Sequence, residues 1–164
     1  MPTPATAAVS IDTLESVFSE MDTIGVKYGL GAKAQYLDID PSKIPAIDCS
    51  GFVRYAIYKA TNGKLTLPDG SQAQREWCEK SPLRKLADYS DVQAGTQRSL
   101  YVAFIKPWTN GCQAVGHVWF VTKLDADDTP DTMESHGGVG VDSRRWDYLT
   151  LKRQVYSCYE IPVV

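Results

Sequence analysis

One stretch, Asp48-Cys49-Ser50-Gly51-Phe52, sets a cysteine where extended chain gives way to a helical pattern. Beyond it, apolar residues at 52, 53, 56, 57 and 60 follow the three-four spacing of a single buried helical face. Cys49 therefore falls in or just before a first turn, where unpaired backbone N–H groups and the positive end of the helix dipole favour a thiolate. Taken alone, such a residue reads more simply as an ordinary buried cysteine. Histidine changes that balance. The chain has only two, His117 and His136. Val115-Gly116-His117-Val118-Trp119-Phe120-Val121 reads as a core strand carrying one polar residue, and a buried imidazole needs a partner. His136 stands beside Gly137-Gly138, where an adjacent strand would let it touch His117. A thiol, an imidazole base and a third polar group that orients the base form the general arrangement for covalent acyl transfer.

The elements that must carry these groups follow from periodicity. A first helix is expected after Ser10 or Asp12, with Leu14, Val17, Phe18 and Met21 on its apolar face. The cysteine helix should stop near Thr61-Asn62-Gly63, a suitable carboxyl-terminal cap, and a short helix is expected over 71–80, ended by Pro82. Strand-forming residues then dominate over 100–105, 116–124, 132–135, 138–141 and 152–161. Helices first and an antiparallel sheet after is an α+β order, which lets a helix-borne nucleophile pack against a sheet-borne base. Residues 1–10, rich in Pro, Ala and Thr, are expected to be a flexible arm, and 11–164 a single catalytic domain.

These pieces, in this order, resemble the NlpC-type cysteine peptidases, papain-like enzymes that cut the peptide stems of bacterial cell wall. The resemblance rests on Asp48-Cys49-Ser50-Gly51-Phe52, Gly116-His117-Val118 and a histidine one short strand later. Tyr28-Gly29-Leu30-Gly31, the Leu67-Pro68-x-x-Ser71-x-x-Gln74 stretch, 134–141 and Arg144-Arg145-Trp146 extend it over about residues 24–148. It implies a papain-like fold with N-terminal helices packed on a central antiparallel sheet. It also implies hydrolysis of the γ-D-glutamyl to diaminopimelate bond through a thioester, with Cys49 as nucleophile, His117 as base and His136 orienting His117. Tyr28, Asp48 and Ser50 would bind the free amino end of the stem peptide. One departure stands out: the Gly-Asp strand start that the family usually has before its histidine is replaced by 98–105, so the loop from Ile105 to Gly116 is expected to be rebuilt.

Other readings sit beside these. Asp48 or Ser50 can serve as a helix cap and Tyr28 as a ring at the edge of the core. Trp119 follows His117 by two and, by strand alternation, shares its face, so it could wall the cleft as a substrate contact or pack in the core. Trp108, in the rebuilt loop, is a further candidate for substrate contact. An amidase or acyltransferase on another amide would use the same thioester, and a wall-binding or virion component would keep the fold without turnover.

Composition narrows the classes. A length of 164 residues with 43% hydrophobic content suits one compact domain with a real core. With 17 basic and 20 acidic residues the net charge is -3, which offers no basic stripe for nucleic acid. No run approaches a membrane span, and the first ten residues lack the basic start and apolar stretch of a secretory signal. Action on the wall or periplasm is therefore expected after phage lysis or specialised secretion, or as a domain excised from a larger secreted protein. The cysteines at 49, 78, 112 and 158 have no Cys-x-x-Cys spacing, so neither zinc nor another cofactor is expected, and free thiols are favoured over disulfides. The acidic run 125–131 lacks the glycine and ligand alternation of a calcium loop and reads as a solvated hairpin tip. The expected partners are a peptidoglycan stem peptide and, as a candidate, an inhibitor or immunity protein; the chain is expected to act as a monomer.

Overall fold

A computed structural model of the protein describes residues 7–87, 89, 92, 99–111, 113–123, 130–146 and 154–164. Cys112 and most of the acidic run lie outside them.

Among the described residues, three α-helices come first. Helix α1, Ile11–Ile24, starts where the Ser10 side chain accepts the Thr13 N–H at 3.2 Å, and it ends at Gly25 in the left-handed conformation. Its apolar stripe Leu14, Val17 and Met21 is buried. Helix α2, Cys49–Ala60, is capped by Asp48, whose carboxylate accepts the Gly51 N–H at 2.7 Å. It closes at Thr61, with Asn62 and Gly63 at positive φ, as the Thr-Asn-Gly signal predicts. Helix α3, Ser71–Lys80, matches its expected range.

The described residues then form five strands: β1 Ser99–Ile105, β2 Val118–Lys123, β3 Asp131–His136, β4 Gly140–Asp142 and β5 Val155–Ile161. They form one antiparallel sheet in the order β4-β3-β2-β1-β5. Six consecutive residues of β1, Leu100 to Ile105, are buried, the pattern of a central strand covered on both faces. Successive β2 residues pack on different neighbours: Phe120 meets Phe52 of α2 edge-on at 6.0 Å, whereas Trp119 packs on Trp146 at 6.4 Å. Phe18 of α1 continues the row onto Phe52 at 6.4 Å. The core is one cluster running from Val9 to Ile161. The helices and the antiparallel sheet are the α+β arrangement expected from the sequence.

Two boundaries differ from expectation. Residues 7–10 are not a free arm: Ala7 and Val9 are buried, Val9 donates its N–H to Pro162 at 2.9 Å, and Val164 donates to the Val9 carbonyl at 3.0 Å. A β-branched residue with both backbone groups paired is held as part of the core, which the surrounding Pro, Ala and Thr conceal. The strand expected at 138–141 is instead the turn 137–139 followed by β4, because Gly138 adopts positive φ.

Candidate active site

Helix α2 brings Cys49 to the site as its first residue, where the backbone N–H has no intrahelical acceptor. The residue is buried, only 5% exposed. Its sulfur lies 4.0 Å from the carbonyl oxygen of Gly116, the residue before His117. The two candidate catalytic residues are thus neighbours across 68 positions of sequence.

His117 leads into β2. Burial by itself disfavours its charged form, but hydrogen bonds and charge from Cys49 and Glu134 outweigh that effect and hold its pKa well above the ordinary histidine value. Its Nε2 lies 2.8 Å from Glu134 Oε1. The imidazole also stacks on the indole of Trp119, with centroids 5.3 Å apart and planes 22° from parallel. One nitrogen fixed by a carboxylate and one face fixed by an indole leave the ring little freedom to turn.

The residue that holds His117 is Glu134, in the place where the sequence predicts His136. The correction follows from the sheet. Pairing of β2 with β3 runs Thr122↔Asp131, Val121↔Thr132, Phe120↔Met133. Continued, that register would set His136 opposite His117, but the pairing stops at Phe120↔Met133, and β3 pairs with β4 from Glu134 onward. His136 turns with it and engages Asp142, Nε2 to Oδ2 at 3.0 Å. Glu134, on the same face two residues earlier, takes the imidazole.

A fully buried carboxylate needs more than one partner. Glu134 also receives the Thr132 hydroxyl and the Arg144 guanidinium, whose Nε lies 3.2 Å from Oε2. Burial pushes the Glu134 pKa upward, yet hydrogen bonds from His117 and Arg144 more than reverse this and keep it below the usual carboxylate range. The row Arg144, Glu134, His117, Cys49 therefore alternates in sign whenever the thiol has given its proton to the imidazole.

Helix α3 ties the two halves together. The Ser71 hydroxyl donates to the Val115 carbonyl, and Gln72 Oε1 accepts the Val115 N–H at 3.0 Å, which pins the loop ahead of His117. Gln74 donates from Nε2 to the carbonyls of Ser50, at 2.9 Å, and Pro68, at 3.1 Å, which pins the first turn of α2. Ser135 on β3 adds a 2.7 Å bond to the Ile47 carbonyl, just before the cysteine helix. Residues 67–74, part of the resemblance and of the helix expected over 71–80, thus have a mechanical role here.

The expected substrate contacts fare differently. Tyr28 is half-buried near the thiol; burial first, then the charges of Cys49 and Asp48, raise its phenol pKa. Trp119 is fully buried beneath His117, so it supports the base and does not wall an open cleft. Asp48 and Ser50 are buried and already engaged by Lys33, a residue with no sequence signal: its ammonium lies 2.6 and 2.7 Å from the Asp48 oxygens and 2.7 Å from Ser50 Oγ. The free amino end expected there meets a filled position. Cys78 and Cys158 are buried free thiols away from this constellation, and burial pushes the Cys78 thiol up to about 12.

No protein-family model matches the chain, and no curated protein does. Solved structures do. A lipoprotein-like protein of the NLP/P60 family from Staphylococcus aureus superposes with a TM-score of 0.58 at 14% identity, over 96% of this chain and 44% of its own. The P60 domain of an antigen from M. avium subspecies paratuberculosis superposes with a TM-score of 0.53 at 20% identity, over 93% of this chain and 96% of that domain. The chain thus spans under half of the staphylococcal protein and nearly all of the isolated domain. Its fold is of the NlpC/P60 type.

Proposed function

We propose that this NlpC/P60-type fold serves a cysteine peptidase that hydrolyses peptidoglycan stem peptides, at the γ-D-glutamyl to diaminopimelate bond, through a thioester. The observation that carries the reading is the placement of the Cys49 sulfur 4.0 Å from the Gly116 carbonyl, beside a His117 that is itself held by a buried carboxylate. A thiol at a helix start, beside an oriented imidazole whose charged form it favours, is the form of an activated nucleophile.

In this mechanism the Cys49 thiolate attacks the peptide carbonyl carbon, and the oxyanion is met by the backbone N–H of Cys49, a type of donor worth roughly 3 kcal/mol in comparable sites. The His117 imidazolium then gives its proton to the leaving nitrogen as the carbon–nitrogen bond breaks. Water loses a proton to the now neutral His117, adds to the thioester, and expels the sulfur as the acid forms. Glu134 keeps one imidazole nitrogen occupied throughout, so that the other faces the sulfur. Arg144 neutralises Glu134 and prevents the carboxylate from taking the proton itself.

The test is digestion of purified, diaminopimelate-containing wall fragments by wild type and Cys49→Ala, with mass spectrometry of the products. New γ-glutamyl carboxyl ends from wild type alone are expected; identical product spectra from both proteins would refute the peptidase reading.

A further inference from the structure

The filled position beside the nucleophile bears on substrate choice. Asp48 and Ser50 flank Cys49, so whatever they bind selects what the thiol meets. An ammonium has three protons to give. Those of Lys33 go to the two Asp48 oxygens, at 2.6 and 2.7 Å, and to Ser50 Oγ at 2.7 Å, while Asp69 forms a further ion pair with the ammonium at 3.1 Å. Asp48 Oδ1 is crowded besides, since it also accepts the Gly51 N–H at 2.7 Å.

The lysine is built into place. Its loop is tied to the helix cap by the Asp48 N–H, which donates to the Ala32 carbonyl at 2.8 Å, and the Ala32 N–H donates to the Gly29 carbonyl at 2.9 Å. Its stem crosses the first turn of α2 over Gly51, where a Cβ would stand 3.0 Å from Lys33 Cδ and 2.9 Å from Asp48 Oδ1. A glycine in the cysteine turn therefore makes the room the stem occupies. The side chain is only 27% exposed, unlike a lysine free in solvent.

We propose that Lys33 is a tethered cation that occupies the amine position next to Cys49, so that the site takes acyl donors whose amino end is capped as an amide and rejects those ending in a free ammonium. This rests on the peptidase reading and narrows it: the favoured substrate is a stem peptide still joined through its amino end, in place of one already released. An incoming ammonium has to expel a group whose attachment to the same chain keeps its local concentration high, and the two like charges cannot share one carboxylate.

The experiment uses two chloromethyl ketones of alanyl-γ-D-glutamate, identical except that one has a free and the other an acetylated amino end. Alkylation of Cys49 is followed by intact mass in wild type, Lys33→Met and Lys33→Arg. Wild type and Lys33→Arg are expected to react faster with the acetylated probe by about tenfold or more, and Lys33→Met, which keeps the stem but vacates the charge, is expected to lose or reverse that ratio. A free-amine preference in wild type, a ratio that Lys33→Met leaves unchanged, or labelling by neither probe overturns the proposal. The wild-type ratio alone remains decisive if Lys33→Met fails to fold. Wall fragments left uncut alongside the expected ratio would count against the peptidase reading and not against the role of Lys33.

Discussion

Replacing Glu134 by glutamine, with His136→Ala as its companion, separates the two candidates for orienting the base. The elevation of His117 from 6.5 to about 9 corresponds to about 3 kcal/mol of net preference for the imidazolium, after its desolvation has been overcome. Cys49 and Glu134 both supply it, so removing the Glu134 charge is expected to bring the alkaline limb of the kcat/KM profile down by about one pH unit. Rate at the optimum should fall on the order of 10²-fold, because the imidazole loses the partner that fixes its orientation and charge. The substitution also leaves Arg144 facing a neutral group, and breaking a buried pair in this way costs roughly 3–5 kcal/mol of stability. Activity is therefore compared at a temperature where both proteins are folded, and the limb of the profile, which destabilisation alone does not move, is the deciding measurement. His136→Ala removes only the partly exposed contact with Asp142, expected to be worth up to about 1 kcal/mol, and should leave kcat/KM within about threefold with its limb in place. A His136→Ala protein that loses activity as steeply as Glu134→Gln, with the same displaced limb, would refute the assignment of Glu134.

Other consequences follow from the same contacts. The His117 contribution to stability is whole below its unfolded value of 6.5 and fades as pH rises toward about 9, so wild type should lose unfolding free energy across that interval in denaturant titrations while Glu134→Gln loses less. Trp119→Ala should cost roughly 3–5 kcal/mol by the same measurement, and Trp119→Phe less, with a lower kcat in the phenylalanine variant because the ring under His117 no longer fills its place. Gly140→Ala should destabilise the protein by more than about 1 kcal/mol, seen as a lower Tm, since φ is +114° there and a Cβ would lie 2.2 Å from the Val26 carbonyl oxygen. Iodoacetamide at pH 6 should modify Cys49 before Cys78 or Cys158, both buried with thiols raised by desolvation; peptide mapping that finds Cys78 first would contradict this.

Local signals carried the sequence a long way toward this arrangement. The apolar spacing after Cys49 sufficed to place the thiol at a helix start, and a single polar residue in the run 115–121 was enough to mark His117. Glu134 escaped because a carboxylate in a strand is read as solvent-facing, and its burial depends on partners from elsewhere, Arg144 ten residues on and His117 seventeen residues back. A usable signal was present: Thr132, Glu134 and His136 share one face of a strand that precedes a tight turn and an arginine, so three polar groups had to satisfy one another. His136 misled because the choice between residues 134 and 136 depends on where β3 leaves β2 for β4, a property of pairing that no single strand encodes. Lys33 carried no pattern at all. Its place follows from a loop held by backbone bonds to Ala32 and from the missing side chain of Gly51.

The two charged groupings obey one rule. Arg144 with Glu134, and Lys33 with Asp48, each set a cation against a carboxylate that is nearly or wholly buried within reach of the Cys49–His117 pair. Without Arg144, burial would push Glu134 toward taking a proton, and the nearest source is the His117 imidazolium. With the cations in place both carboxylates act as fixed acceptors, one for an imidazole nitrogen and one for the N-terminal turn of α2. In the proposed mechanism the proton is then left to move between sulfur and His117. The polar network around the nucleophile thereby keeps that exchange apart from its surroundings, and Lys33 does so at the position where a substrate's own charge would otherwise enter the balance.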